Sequence, residues 1–333
     1  MAGSEATPRR ADPAALVERM LGGDRLALAR LITHLENRSA AVPAIMQAVH
    51  ARGRDAYVVG VTGPPGAGKS TVVDRLTALL RAEDETVGIV AVDPSSPFSG
   101  GAVLGDRIRM QAHALDPGVF IRSMATRGSH GGLARATGDT ITLLAAAGYA
   151  WVLVETVGVG QTELDIMKLA DTTVVVLVPE SGDAIQTMKA GLMEAADVFL
   201  VNKADRSGAP ALMAELTFAA HLSLTSAASP KNIGWEIPVL SAEAQSGVGI
   251  AELLADVRRH RAALEAAGAL AARRRARRRE ELKTLLLDEV RQKVERALAG
   301  GELARTVDAV VEGALDPYSA VQAILTVLRL ESS

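Results

Sequence analysis

The stretch Gly63-Pro-Pro-Gly-Ala-Gly-Lys-Ser70 constrains this chain more than any other. It fits G-x-x-x-x-G-K-[ST] in full, follows the apolar run Tyr57–Thr62 and leads into a helical pattern from Thr71 to Leu80. That strand–loop–helix context is what the pattern requires. Closely spaced glycines let successive backbone N–H groups turn inward around phosphate oxygens, and the positive end of the following helix adds to the attraction. The reading assigns Gly63, Pro65, Gly66, Ala67, Gly68, Lys69, Ser70 and Thr71 to a triphosphate cradle. Lys69 then bridges the β- and γ-phosphates, and the Ser70 hydroxyl serves Mg²⁺.

Around this loop, short apolar runs alternate with helical patterns. The predicted strands are Tyr57–Thr62, Val87–Val92, Val119–Ser123, Ala150–Glu155, Thr173–Val178, Val198–Val201 and Ile237–Leu240. Continuously apolar strands are covered on both faces, and strand–helix alternation implies a parallel, doubly wound α/β sheet of the P-loop NTPase class. Ahead of it, Leu16, Met20, Leu26, Leu28, Leu31, Ile32 and Leu35 recur at helical spacing, interrupted by Gly22-Gly23-Asp24 with Asp24 as a helix N-cap. Beyond about Ile250 the strand signal stops, and an Ala-, Leu- and Arg-rich helical tail breaks near Gly268, Gly300-Gly301 and Asp316-Pro317. The expected organisation is a disordered tail over 1–12, a helical region over 13–56, the P-loop domain over 57–262, and a helical region over 263–333 that packs on another chain.

Asn202-Lys-Ala-Asp205 follows the predicted strand Val198–Val201. Guanine offers N1–H and an exocyclic N2–H₂ on one edge, and a single carboxylate accepts both. Adenine lacks that paired edge, so Asp205 discriminates against ATP by leaving acceptors unpaired. Asn202 can bond both the base and the phosphate loop, and the stem of Lys203 covers the ring. Ser241-Ala242-Glu243 follows the next strand, where a backbone N–H can reach guanine O6. The ligands are therefore GTP and GDP.

Two further strands end in acids, at Asp93 and at Glu155 in Glu155-Thr-Val-Gly-Val-Gly-Gln161. Acids at the carboxyl ends of parallel strands beside a P-loop lie where ligands bind in such sheets and can hold Mg²⁺ directly or through water. Asp106, in the glycine-rich Gly100–Asp106 stretch, is a third candidate; helix N-capping is the alternative role for each. Lys69, Asp93 and Glu155 form the candidate catalytic set. Gly158 and Gly160 would let a γ-phosphate draw their loop inward. Gln161 sits beyond the place of the glutamine in D-x-x-G-Q, which leaves the water-positioning residue unassigned and implies slow turnover without a partner.

Composition sets limits. Apolar residues make up 48 % and charged residues 23 %, enough for a sizeable core, and the net charge of −3 recruits neither nucleic acid nor anionic membrane. With no cysteine there is no disulfide framework and no thiolate metal site. No apolar stretch follows Arg9 and Arg10, and none approaches the ~20 residues needed to span a bilayer, so a cytoplasmic protein is expected. The run Arg273–Arg279 has no aromatic neighbours and is followed by Glu280 and Glu281, which reads as a solvated helix face near a dimer seam. Of six scattered histidines only His130 falls in a functional-looking loop, and Trp235 with Pro230 reads as fixing a surface loop.

Taken together, Gly63–Ser70, Val92-Asp-Pro-Ser-Ser-Pro-Phe-Ser-Gly-Gly101, Leu104-Gly-Asp-Arg-Ile-Arg-Met110, Arg122-Ser-Met-Ala-Thr-Arg-Gly128, Glu155–Gln161 and Val201–Asp205 resemble the MeaB type of G protein, also labelled ArgK or LAO/AO transport kinases. The resemblance spans roughly His50 to Val257. It implies a GTPase chaperone that gates cofactor delivery to adenosylcobalamin-dependent methylmalonyl-CoA mutase and protects it. It also implies a homodimer joined through C-terminal helices. Asp93, Asp106 and Glu155 are placed around the metal with Ser70, and a mobile loop over Pro179–Lys189 reports nucleotide state to the mutase. The alternatives weighed are a P-loop small-molecule kinase, which would need ATP, and a GTPase metallochaperone, which would carry a Cys or His cluster that this chain lacks.

Overall fold

The computed structural model describes residues 12–93, 111–125, 130–156, 164, 167–181, 196–224, 234–298 and 300–327. The chain divides into two compact units, Met1–Arg273 and Arg274–Ser333.

The first unit opens with helices α1 (Pro13–Leu21), α2 (Arg25–Glu36) and α3 (Val42–His50). Asp24 caps α2 as expected: its Oδ1 accepts from Leu26 N at 2.9 Å and Ala27 N at 3.0 Å. Leu26 does not keep its expected place in the apolar stripe. Leu26 is 57 % exposed, and Ala27 takes the inward position. Leu28, Leu31, Ile32 and Leu35 define the buried stripe, and a residue two places before Leu28 lies about 200° around the helix from it.

Seven strands follow: β1 (Tyr57–Thr62), β2 (Val87–Asp93), β3 (Val119–Ala125), β4 (Trp151–Thr156), β5 (Thr172–Leu177), β6 (Val198–Asn202) and β7 (Val239–Ala242). They form one sheet in the order β3-β2-β4-β1-β5-β6-β7, with every pairing parallel. The last strand begins two residues later than predicted. Pro238 has no N–H to give to a ladder, although its carbonyl still accepts from Phe199 N at 2.9 Å.

Helices α4 (Lys69–Ala82), α5 (His130–Ala146), α6 (Ala209–Leu224) and α7 (Ile250–Ala266) cover both faces. Val59, Val61, Leu153, Val174 and Val176 pack with α4 and α7, whereas Val58, Val90, Val152 and Val154 pack with α1–α3 and α5. Further along that second face, Val175, Leu177, Phe199 and Val201 meet Leu212 and Leu216 of α6. Because both faces are covered, all residues of β1, β4 and β5 are buried. The connection that leaves β1 runs to β2 on one side, whereas the one that leaves the neighbouring β4 runs to β5 on the other. This puts a switch point at the carboxyl ends of β1 and β4, where open α/β sheets bind ligands.

The opposite edge of the sheet is sealed by polar contacts. Tyr57 Oη lies 2.5 Å from Thr172 Oγ1, which lies 2.8 Å from Nδ1 of the fully buried His260. Trp235 does more than fix a surface loop: its Nε1 donates to Asp197 O at 2.9 Å and its ring centroid is 4.9 Å from that of His260. Arg273, read as part of a solvated face, instead donates to Asp171 O at 3.1 Å. Pro230 lies outside the described residues.

Helix α8 (Ala269–Leu298) leads into the second unit, which contains α9 (Gly301–Val311) and α10 (Pro317–Val327). The breaks fall where glycine and Asp-Pro predict them. Gly268 has φ +64°, and Asp316 caps α10 by accepting from Tyr318 N and Ser319 N, both at 3.0 Å. No residue of α8 is buried, and Leu282, Leu286 and Leu287 lie open to solvent. Among the described residues, no helix is long and apolar enough to cross a membrane.

Candidate functional site

The turn after β1 runs into α4 through three glycines with positive φ, each for its own reason. A Cβ on Gly63 (φ +139°) would stand 1.9 Å from Val176 O, so the loop passes against β5 where only glycine fits. On Gly68 (φ +89°) it would stand 2.4 Å from Asn202 Nδ2. Gly66 (φ +76°) has nothing within 4 Å of that position, which places its bare backbone on the open side of the loop. Pro65 is exposed, Ala67 is buried to anchor the turn, and Thr71 is half-buried at the start of α4. Lys69 is 6 % exposed, and its ammonium donates to Gly63 O at 2.8 Å and Pro64 O at 3.0 Å, across the mouth of the loop.

Ser70 and Glu155 meet beside it. The Ser70 hydroxyl donates to Glu155 Oε1 at 2.6 Å, and both residues are buried. Glu155 reaches that position from β4, in register with Val61 of β1 and Ala91 of β2. Next to it, Thr156 donates to Thr62 Oγ1 at 2.9 Å, tying the ends of the two strands. Hydroxyl and carboxylate oxygens are the hard donors that Mg²⁺ prefers, so Ser70 and Glu155 suit that ion. Asp93 ends β2, its backbone in register with Ala125, but its side chain lies outside the described residues. So do Asp106, Gln161 and Lys189, and the side chain of His130, the first residue of α5.

The four-residue motif after β6 is joined to the phosphate loop directly. Asn202, 3 % exposed, donates from Nδ2 to Ala67 O at 2.8 Å and accepts at Oδ1 from Ala244 N at 3.0 Å. Lys203 adopts φ +56°, uncommon for a residue with a side chain, and its ammonium donates to Gly66 O at 2.8 Å. Ala204 N donates to Ala242 O at 3.1 Å, and Asp205 stands exposed on the turn that follows. Ser241, Ala242 and Glu243 run alongside, with Asn202 and Ala242 in register. Their turn closes through Glu243 N to Val248 O at 3.0 Å and is tight enough that a Cβ on Gly249 would stand 2.2 Å from Ser241 O.

Two contacts have no warning in the sequence. Arg75, on the outer side of α4, donates from Nε to Ala244 O at 3.2 Å and from Nη2 to Gln245 O at 2.6 Å. Arg206, directly after Asp205, pairs with Glu180 at 2.5 Å and holds its carboxyl below the usual carboxylate range. Glu180 lies in a short turn, Pro179–Ser181; the rest of the Pro179–Lys189 stretch lies outside the described residues. Arginines on helix and turn surfaces carry no pattern that marks such partners.

A glycine turn at a helix N-terminus, with two ammonium groups on its carbonyls, suits a phosphate chain. Comparison with known proteins agrees. The family model described as "Methylmalonyl Co-A mutase-associated GTPase MeaB" matches residues 28–299. A Pyrococcus abyssi protein with a provisional GTPase name is 51 % identical over 310 residues, covering 93 % of this chain and 95 % of that one. The mouse protein named methylmalonic aciduria type A homolog, mitochondrial, is 31 % identical over 325 residues, covering 93 % of this chain and 78 % of its own. Among solved structures, one titled a LAO/AO transport system kinase has a TM-score of 0.70 at 27 % identity, covering 97 % of this chain and 100 % of that one.

Proposed function

The chain belongs to the MeaB family of methylmalonyl Co-A mutase-associated GTPases, and we propose that it uses a GTP–GDP cycle to gate cofactor loading of a cobalamin-dependent acyl-CoA mutase and to protect that enzyme. The observation that carries the nucleotide assignment is the pair of hydrogen bonds made by Asn202. They tie the phosphate loop at Ala67 and the 241–245 turn at Ala244 to the strand end that bears Asp205. Phosphate cradle and base edge are thereby held at a set spacing, as a purine nucleotide requires.

In this reading the N–H groups of Gly66 to Thr71 hold the α- and β-phosphates. Lys69 leaves the Gly63 and Pro64 carbonyls for the β- and γ-phosphates. Asp205, exposed at the site, pairs with N1–H and N2–H₂ of guanine, and the stem of Lys203 lies on the ring. Ser70 and Glu155, with Asp93 and Asp106, would hold Mg²⁺, whose contribution is to neutralise the charge that develops on the β- and γ-oxygens. Lys69 spreads the same charge, and Glu155 orients the Ser70 hydroxyl.

The mutase partner is supported by the family description and by the name of the mouse relative. A homodimer through α8–α10, in the cytoplasm, completes the proposal. Its support is the exposed apolar set Leu282, Leu286, Leu287, Val311, Tyr318 and Val321. Pull-down from native extract with GDP and with a nonhydrolysable GTP analogue tests the whole reading. A mutase should be retained with a nucleotide-dependent yield and should raise GTP turnover when added. Capture in neither state would remove the mutase from the proposal, and equal affinity for ATP and GTP would remove the guanine assignment.

A further inference from the structure

Alternate residues of β1 hold the chain that runs from β4 to β5. At the carboxyl end, Thr62 Oγ1 accepts from the Thr156 hydroxyl at 2.9 Å. At the amino end, Val58 O accepts from Asp171 N at 2.8 Å, and Val58 N donates to Asp171 Oδ2 at 3.0 Å. Between them stands Gly60, and Met167 fills the space above its bare backbone. A Cβ on Gly60 would lie 2.8 Å from Met167 Sδ, 3.0 Å from Met167 Cε and 3.0 Å from Ala170 Cβ. Met167 is 4 % exposed and packs in the same core cluster as Val58, Val152 and Val154. Lys168 N donates to Leu164 O at 3.1 Å, so the helical turn that carries Met167 lies against the strand itself.

The outer two fixings are hydrogen bonds of set geometry, but the middle one is a thioether on backbone. Glycine weakens a strand interior, and here it admits a close approach that any other residue would block. Methionine is unbranched and adapts to irregular gaps, so this seat can shift where its neighbours cannot. The chain leaves β4 at Glu155 and Thr156 and returns at Leu164 and Met167. Thr62 therefore fixes one end of that span and Gly60 the other.

We propose that Met167, seated on Gly60, is a positioning residue for GTP hydrolysis. It touches no nucleotide and acts through the stretch that begins at Glu155; the role rests on the reading of Glu155–Gln161 as the stretch that answers to the γ-phosphate. The depth of the seat sets where that stretch ends, and so how it is presented to the γ-phosphate on Lys69. GDP lacks that phosphate, and its binding is independent of the seat.

The test uses the full chain and two measurements, single-turnover GTP hydrolysis and GDP affinity. Gly60→Ala pushes a methyl under the thioether and lifts the turn, and the rate should fall roughly tenfold, since small misplacements near a reaction are costly. GDP affinity should stay within about twofold of wild type. Met167→Ala empties the seat and should slow hydrolysis in the same selective way. In the double variant Gly60→Ala/Met167→Ala the new methyl takes the space the thioether leaves, so hydrolysis should run faster than in either single variant. Unchanged rates in both single variants, a GDP affinity that falls in step with the rate, or losses that multiply in the double variant would each overturn the role given to Met167. Glu155→Gln hydrolysing GTP at the wild-type rate would instead overturn the reading of the 155–161 stretch beneath it. Should either alanine variant fail to fold, Met167→Leu, close in volume but branched against Gly60, replaces it; slowed hydrolysis with GDP affinity intact supports the role, and an unchanged rate removes it.

Discussion

Asn202 and Ala67, 135 positions apart in the chain, are joined by a 2.8 Å hydrogen bond from the side-chain amide to the backbone carbonyl. The bond joins the end of β6 to the middle of the phosphate loop. It explains why Gly68 must be glycine, since a Cβ there would displace that amide. The same side chain holds Ala244, so three segments distant in sequence share one buried amide.

Removing that amide should be felt in stability and in binding. Asn202→Ala leaves Ala67 O and Ala244 N without the partner each has now, a loss of about 1–3 kcal/mol in unfolding free energy. GDP affinity should fall on the order of tenfold or more, as about 1.4 kcal/mol of misplacement would require. Urea unfolding and GDP titration measure the two, and an unaltered GDP affinity would mean the amide does not align the site.

Glu155→Gln separates catalysis from folding. Glu155 is buried against the Ser70 hydroxyl, so neutralising it removes a desolvated charge and should leave the melting temperature equal or higher. GTP turnover should drop by at least about tenfold, because charge on the metal-facing oxygens is lost. Chelating Mg²⁺ should then weaken GTP binding less in the variant than in wild type. A variant that hydrolyses GTP at the wild-type rate would refute the role of Glu155.

The loop glycines should behave differently when each is replaced by alanine. Both Gly66 and Gly68 sit at positive φ, which costs an L residue roughly 1–2 kcal/mol. Gly68→Ala adds a collision with Asn202 and should melt well below Gly66→Ala. Gly66→Ala meets no protein atom, so its larger effect should be on GDP affinity, where the new methyl faces the phosphates. Equal melting temperatures for the two variants would contradict this account.

Asp205→Asn should transfer preference from guanine to xanthine nucleotides. An amide can donate to the xanthine 2-oxo group, whereas a carboxylate repels it. Competition between GDP and XDP reads the switch directly, and retained GDP preference would disprove the assignment of Asp205. Stability should change little, because Asp205 is exposed.

Much of the architecture is legible in the sequence. All seven strands were identified, since a strand buried on both faces is a continuous apolar run, as in Val174-Val-Val-Leu177. Their boundaries moved by one or two residues where local chemistry intervened, as at Pro238. Helix breaks are readable at Gly268 and Asp316, because positive φ and side-chain capping are local properties. Leu26 falls outside the stripe because apolar spacing alone does not say which turn of the helix carries it. The contacts of Arg273 and Trp235 leave no local signature because their partners, Asp171 and Asp197, lie far away in sequence on the sheet edge.

Local stretches of chain carry the available chemistry: glycines that free the backbone of a tight loop, a lysine and a serine at set offsets, and an acid after a buried strand. Such motifs are local, since neighbouring residues must make them at fixed spacing. How those pieces face one another is a matter of packing: Asn202 on Ala67, Ser70 on Glu155, Arg75 on Ala244. Those pairings depend on strand order and register, and these follow from packing the whole sheet between its helices, which no short stretch of chain encodes.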